Sequence, residues 1–195
     1  MDPVKPLKIY HYNCDGFPDQ GFGCVYRNVQ TVLAKLSCPV PTLLDMMRMC
    51  SIDSDSPELS SKWIEPIDAR RIIKKKCEWV CPQQKFVLGL YVRHSPDDAA
   101  KRMYRTKLRD FDWMSEDSTE VDAKIKRSLR ETSGTPIIID NGVSSFAIVG
   151  YINNAASTTT TYWVADPHAN RPVVRTMSFK DMFQRDPMWM MLFVH

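Results

Sequence analysis

The stretch HYNCDGFPDQGFGCVYRNVQTVLAKL, residues 11–36, decides how the rest of the chain is read. From Cys24 onward, Val25, Val29, Val32, Leu33 and Leu36 recur at helical spacing, which predicts a helix that starts at Cys24. Gly21 and Gly23 stand just before it, where they let the backbone turn sharply and leave room beside the sulfur for a substrate chain. A helix N-terminus and a nearby imidazole both favour the thiolate, the nucleophilic form of cysteine. A buried structural cysteine at a helix start would look the same. A second signal has to separate the two.

Thiol catalysis needs a base, and the base needs an acceptor that orients it. Of the four histidines, His168 stands out because it falls in WVADPHANR, directly after a predicted strand. Pro167 fixes φ between Asp166 and His168, so a strand end and a rigid link can hold both side chains toward one place. Asp166 would then set the tautomer of the ring while its other nitrogen faces Cys24. His11 lies in the opening stretch, and His94 sits between a strand end and a helix start. His195 is the last residue, a position that frays. An Asp-Pro-His tripeptide alone is also a common turn. Its pairing with Cys24 carries the weight.

Outward from these motifs, the first half reads as helices and the second as strands. Pro41 and Thr42 introduce a short helix over 43–50, and another is expected from Asp68 to Lys76. KFVLGLYV (85–92) reads as a buried strand. Ser95 and Pro96 begin a further helix. Val121, Ile125 and Leu129 space one more, ended by Gly134. Then the period changes. PIIID (136–140), SSFAIVGYI (144–152), TTYWVAD (160–166), PVVRTMSF (172–179) and MWMMLFV (188–194) are rich in β-branched and aromatic residues, with a short helix around Lys180 to Gln184. Helices followed by a mostly antiparallel sheet give the α+β class, and 1–195 is expected to form a single domain.

Composition narrows the class. The 195 residues are 44% hydrophobic and 25% charged, ordinary for a globular chain and against disorder. No run approaches the ~18 apolar residues of a membrane span. MDPVKPLK lacks the apolar core of an export signal, and no Asn-x-Ser/Thr acceptor occurs. The six cysteines are therefore expected to be reduced, in the cytoplasm with the nucleus as a second compartment. The net charge of +3 hides two basic groups, Arg70 to Lys76 and Lys101 to Arg109. They read as solvated helix faces, and without interleaved aromatics they do not form a nucleic-acid platform. Cys77 and Cys81 have metal-like spacing with His94 following, but a structural zinc wants a fourth ligand, so neither metal nor cofactor is expected. The methionines of 46–49 and 188–191 read as core filler.

HYNCDGFPDQGFGCVYRNVQT and WVADPH together resemble the cysteine proteases specific for the ubiquitin-fold modifier. Those carry Tyr-x-Cys-Asp-Gly, then Gly-Trp-Gly-Cys-x-Tyr-Arg, and Asp-Pro-His far downstream. SSKWIEPIDA (60–69) and PIIIDNGVSSFAIVGY (136–151) add weaker similarity. The resemblance implies a papain-like fold in which Cys24 is the nucleophile, His168 the base, Asp166 the orienting acid and Tyr12 an oxyanion-hole donor. A phenolic hydroxyl can give such a hydrogen bond, although a half-buried strand tyrosine is the plain reading of Tyr12. Cys14 is read as structural, and Tyr26 and Arg27 as packing and helix-surface contacts. Phe22 replaces the usual tryptophan, and ANR follows Asp-Pro-His where an aromatic or hydroxyl residue is more common. The implied activity is hydrolysis after the C-terminal glycine of a ubiquitin-like modifier, from precursors or conjugates, by a monomer. The alternatives are a deubiquitinase of the same superfamily and a non-catalytic module that binds a modifier.

Overall fold

The computed structural model describes residues 7–93, 111–152, 160–183 and 186–195. The chain opens with an irregular lead-in, then α1 (Cys24–Lys35), α2 (Leu43–Met49), a 3-10 turn (Leu59–Lys62) and α3 (Pro66–Cys77). There follow β1 (Phe86–Val92), β2 (Trp113–Ser115), α4 (Ser118–Glu131), β3 (Ile137–Asp140), β4 (Ser145–Ile152), β5 (Thr161–Ala165), β6 (Val174–Ser178), α5 (Phe179–Phe183) and β7 (Met188–Val194). The predicted start of α1 at Cys24 is observed. α3 begins two residues before the expected Asp68, because Pro66 is preset for a first helical position and Glu65 and Asp68 close a capping box around it. The helix expected at Ser95, His94 and the basic group 101–109 lie outside the described residues.

The strands form one sheet in the order β2-β1-β7-β3-β4-β5-β6. Every pairing is antiparallel except β1 with β2, so the fold is α+β with a mostly antiparallel sheet. Three-residue β2 carries too little pattern to be seen in sequence. The last strand, β7, lies between β1 and β3. His195 continues that ladder rather than fraying, exchanging both backbone hydrogen bonds with Lys85 at 2.7 and 2.8 Å.

Helices cover both faces of the sheet, which the order of elements alone does not reveal. Ile138, Leu192, Val194 and Leu88 face α1, α2 and α3. Ile137, Ile139, Ile148, Tyr162 and Val164 face α4 and α5. Burial on both sides explains why β3 is four consecutive buried residues without polar alternation. Of the methionines in 46–49 and 188–191, Met46, Met47, Met190 and Met191 are buried as core filler should be, while Met49 and Met188 are half-buried against the core. On α3, Lys74 and Lys75 are exposed, and Arg71 makes only an exposed pair with Asp68, as on a solvated helix face. Among the described residues no helix is long and apolar enough to cross a membrane.

α1 is central. It packs on β3 and β4 and against α3, and all of Cys24 through Leu33 is buried. The Asn28 amide donates to the Ser145 hydroxyl at 2.9 Å, and that hydroxyl donates to the Ile139 carbonyl at 3.0 Å. These bonds fix the rotation and height of α1 on the sheet, and so the place of its first residue.

Candidate active site

The lead-in wraps around the start of α1 and is held there by Arg27. This side chain has no solvent exposure. Its Nε donates to Asp19 Oδ2 at 2.8 Å, and its two terminal nitrogens donate to both oxygens of Asp15 at 2.8 and 2.9 Å. Nη1 also reaches Gln30 Oε1 at 3.0 Å and the Cys14 sulfur at 3.2 Å. Burial opposes the charge on Arg27, but Asp15 and Asp19 raise its pKa and keep it a cation. The reading of Arg27 as a helix-surface contact is thus corrected. A helical wheel marks its position as polar without showing that a loop from the same chain covers it. Cys14 is exposed and lies against this ion cluster. Tyr26 is fully buried, and its hydroxyl donates to the Lys62 carbonyl at 2.8 Å.

The two glycines before Cys24 serve different ends. Gly21 has φ +87, a left-handed conformation that suits glycine, and its carbonyl accepts from Trp63 Nε1 at 2.6 Å. Gly23 has ordinary φ, but a Cβ there would lie 2.1 Å from Asp19 Oδ2. The space beside Gly23 therefore houses a buried carboxylate rather than substrate. Phe22 is buried edge-on between Phe17 and Tyr26, so its departure from tryptophan bears on packing.

The second wall is the turn between β5 and β6. Asp166, 2% exposed, accepts at Oδ1 from the His168 backbone N–H at 3.0 Å and meets His168 Nδ1 at 2.8 Å. Burial pushes the Asp166 pKa up, but the bonds to His168 and the charge of Arg175 bring it below the usual carboxylate value. The His168 ring lies between two aromatic rings, Tyr12 at 5.3 Å edge-on and Phe146 at 5.1 Å tilted. Burial alone would lower its pKa, yet the bond to Asp166 and the nearby Cys24 raise it to about 9. At neutral pH the imidazole therefore carries its proton. The walls are joined by the Tyr12 N–H, which donates to the Pro167 carbonyl at 2.8 Å, and at the rim by Gln20 Nε2, which donates to Asn170 Oδ1 at 3.4 Å.

Cys24 is 1% exposed and lies between these walls. Both the His168 ring and the Tyr12 hydroxyl are near enough to Cys24 to feel it electrostatically, and it raises the pKa of each. Tyr12 is in irregular chain, not a strand, and is 6% exposed. Burial first, then the nearby Cys24, raise its pKa, so the phenol stays protonated and remains a donor. All four residues expected at the site converge.

The profile of Peptidase family C78 matches residues 5–184. The chain belongs to that family. It is 26% identical over 170 residues to a "Probable Ufm1-specific protease" of Oryza sativa subsp. japonica, covering 83% of this chain and 22% of that protein. It is 22% identical over 168 residues to "Ufm1-specific protease 2" of Gallus gallus, covering 82% of this chain and 31% of that protein. The family member thus spans less than a third of the length of these relatives. Its fold is similar to that in the crystal structure of UfSP from C. elegans, with a TM-score of 0.59 and 19% identity, over 96% of this chain and 32% of that one.

Sequence reasoning missed Asp19, Phe146 and Arg175. Asp19 could have been suspected as the acid nearest the Gly-Phe-Gly turn. The other two become neighbours of the site only through strand register. Cys77 meets Cys38, with the sulfurs 3.0 Å apart, a neighbour its spacing from Cys81 does not suggest.

Proposed function

We propose that this chain is a thiol peptidase that cuts after the C-terminal glycine of a ubiquitin-like modifier, and that the modifier is the Ufm1 named for its relatives. The observation that carries the reading is the meeting, beside a buried thiol at the start of α1, of an Asp166-bound His168 ring with the Tyr12 ring packed edge-on against it, both electrostatically influenced by Cys24. We read 1–195 as one papain-like unit, acting as a monomer in the cytoplasm, with the modifier and its conjugates as partners.

In the first step the Cys24 sulfur bonds to the glycine carbonyl carbon, and the carbonyl oxygen becomes negative. The Tyr12 hydroxyl and the Cys24 backbone N–H donate to that oxygen. The His168 imidazolium gives its proton to the amide nitrogen, the carbon–nitrogen bond breaks, and the amine leaves. Water then attacks the thioester carbon and gives a proton to the neutral imidazole, the carbon–sulfur bond breaks to restore the Cys24 thiolate, and the modifier leaves with a free C-terminal carboxylate. Asp166 holds the ring throughout. Its charge favours the protonated imidazole, which is the form that serves the leaving amine.

The test is a panel of ubiquitin-like modifiers, each ending in an electrophile, applied to wild type, Cys24→Ala and His168→Ala. The Ufm1 probe is expected to label Cys24 in wild type and to fail in both variants. Labelling that persists in Cys24→Ala, or that moves to Cys14, would overturn the assignment. Reaction with the ubiquitin probe alone would make the chain a deubiquitinase. Binding of a modifier with no labelling would make it a non-catalytic module.

A further inference from the structure

We propose that Arg175 is a positioning residue of this site, holding the outer oxygen of Asp166 so that its inner oxygen serves only His168. The inference rests on the reading of Cys24 and His168 given above. Asp166 Oδ1 is committed to the His168 backbone and ring. Oδ2 is engaged by Arg175 Nη2 at 2.8 Å. The Asp166 side chain is 3% exposed, and Oδ2 without the guanidinium would have no charged partner among the described residues. A carboxylate held at one oxygen only can rotate and take the imidazole with it.

Strand register puts the arginine there. Val164 pairs with Arg175, and the Asp166 N–H donates to the Val173 carbonyl at 3.0 Å, so Asp166 and Arg175 are diagonal neighbours across an antiparallel ladder. Diagonal positions are within reach of a long side chain. The arginine comes from the outermost strand, and its side chain is 60% exposed, so little else in the fold depends on it.

Its charge also tunes the ring. The titratable groups around His168 are Asp166 on its own turn, Cys24 from α1 and Tyr12 from the lead-in, with Arg175 behind Asp166 on β6. Arg175 offsets part of the negative charge that Asp166 presents to the imidazolium. Without it, the imidazolium holds its proton more tightly and is a weaker acid toward a leaving amine.

The test compares wild type, Arg175→Gln and Arg175→Lys, with two readouts. The first, which needs no modifier, is the pH dependence of Cys24 alkylation by iodoacetamide, whose alkaline limb reports the imidazolium. The second is kcat and KM on a Ufm1 fusion. Arg175→Gln is expected to move the alkaline limb up by about half a pH unit, a Coulomb effect softened by solvent. It should also lower kcat about tenfold with KM little changed. Arg175→Lys keeps the charge and should restore both. If Arg175→Gln keeps the wild-type limb and kcat, the inference is overturned and the proposed function stands. A fall in kcat that Arg175→Lys does not restore, with the limb unmoved, also overturns it, because a merely structural loss behaves that way. If wild-type Cys24 alkylates no faster than a free thiol at any pH, both fall together.

Discussion

Each of the two walls that meet at Cys24 is tied by an arginine, yet the arginines sit in opposite environments. Arg27 has no exposed surface and compensates Asp19, whose side chain also has none. Arg175 is largely in water and touches one carboxylate from outside. A buried ion cluster is indispensable once it exists, because removing one member strands the charge of another in a dry interior. A pair at the solvent edge costs little to alter and acts mainly through geometry and field. The thiol wall is therefore built for rigidity. The imidazole wall is adjustable.

The largest effect should come from breaking the rigid wall. Arg27→Met keeps the aliphatic stem but leaves Asp19 and Asp15 without their cation, and it should cost about 3–5 kcal/mol of stability in a urea melt. The double variant Arg27→Met with Asp19→Asn should recover part of that loss. A cost of Arg27→Met below about 1 kcal/mol would erase the contrast between the walls, since exposed pairs are worth that much.

Tyr12→Phe sharpens the comparison at the join between the walls. The backbone bond from Tyr12 to Pro167 survives the change, so only the hydroxyl is tested. With that donor gone, kcat should fall ~10²–10³ with KM nearly constant. A kcat within twofold of wild type would return Tyr12 to a structural part.

The smallest effect belongs to the adjustable wall and is read as stability against pH. The folded value of His168, about 9, lies above the ordinary 6.5, so the folded state binds the proton more tightly than the unfolded chain. That stability is fully present below pH 6.5 and is lost as pH rises through 9. Over this window wild type should lose Tm relative to His168→Ala. Parallel curves would mean that the ring gains nothing from Asp166 and Cys24 when the chain folds.

How much of this was legible in sequence follows the same division. Apolar spacing placed the start of α1 at Cys24, and Asp-Pro-His named the second wall, because both signals are local. Tyr12 entered only by resemblance, since nothing near it in sequence indicates an irregular, buried phenol. Arg27 was misplaced because the lead-in that covers it is not periodic. Arg175 was silent, since its meaning depends on which β6 residue stands opposite Val164. The α+β class was readable from the change of period. Which helices lie on the far face of the sheet was not, because the unbroken apolar run of β3 shows that both sides are covered without saying by which elements.

Gly23 has one more consequence. As the residue that caps α1, it offers no side-chain acceptor, and the first turn contains no acid. A serine or aspartate cap would typically add about 1 kcal/mol of helix stability. The carboxylate of Asp19 excludes either one by occupying the place of their Cβ. The helix thus begins with no side-chain cap on its leading amides, and under the proposed function these are the donors left for a substrate's carbonyl oxygen. The same buried acid that locks Arg27 in place also keeps the mouth of the helix vacant.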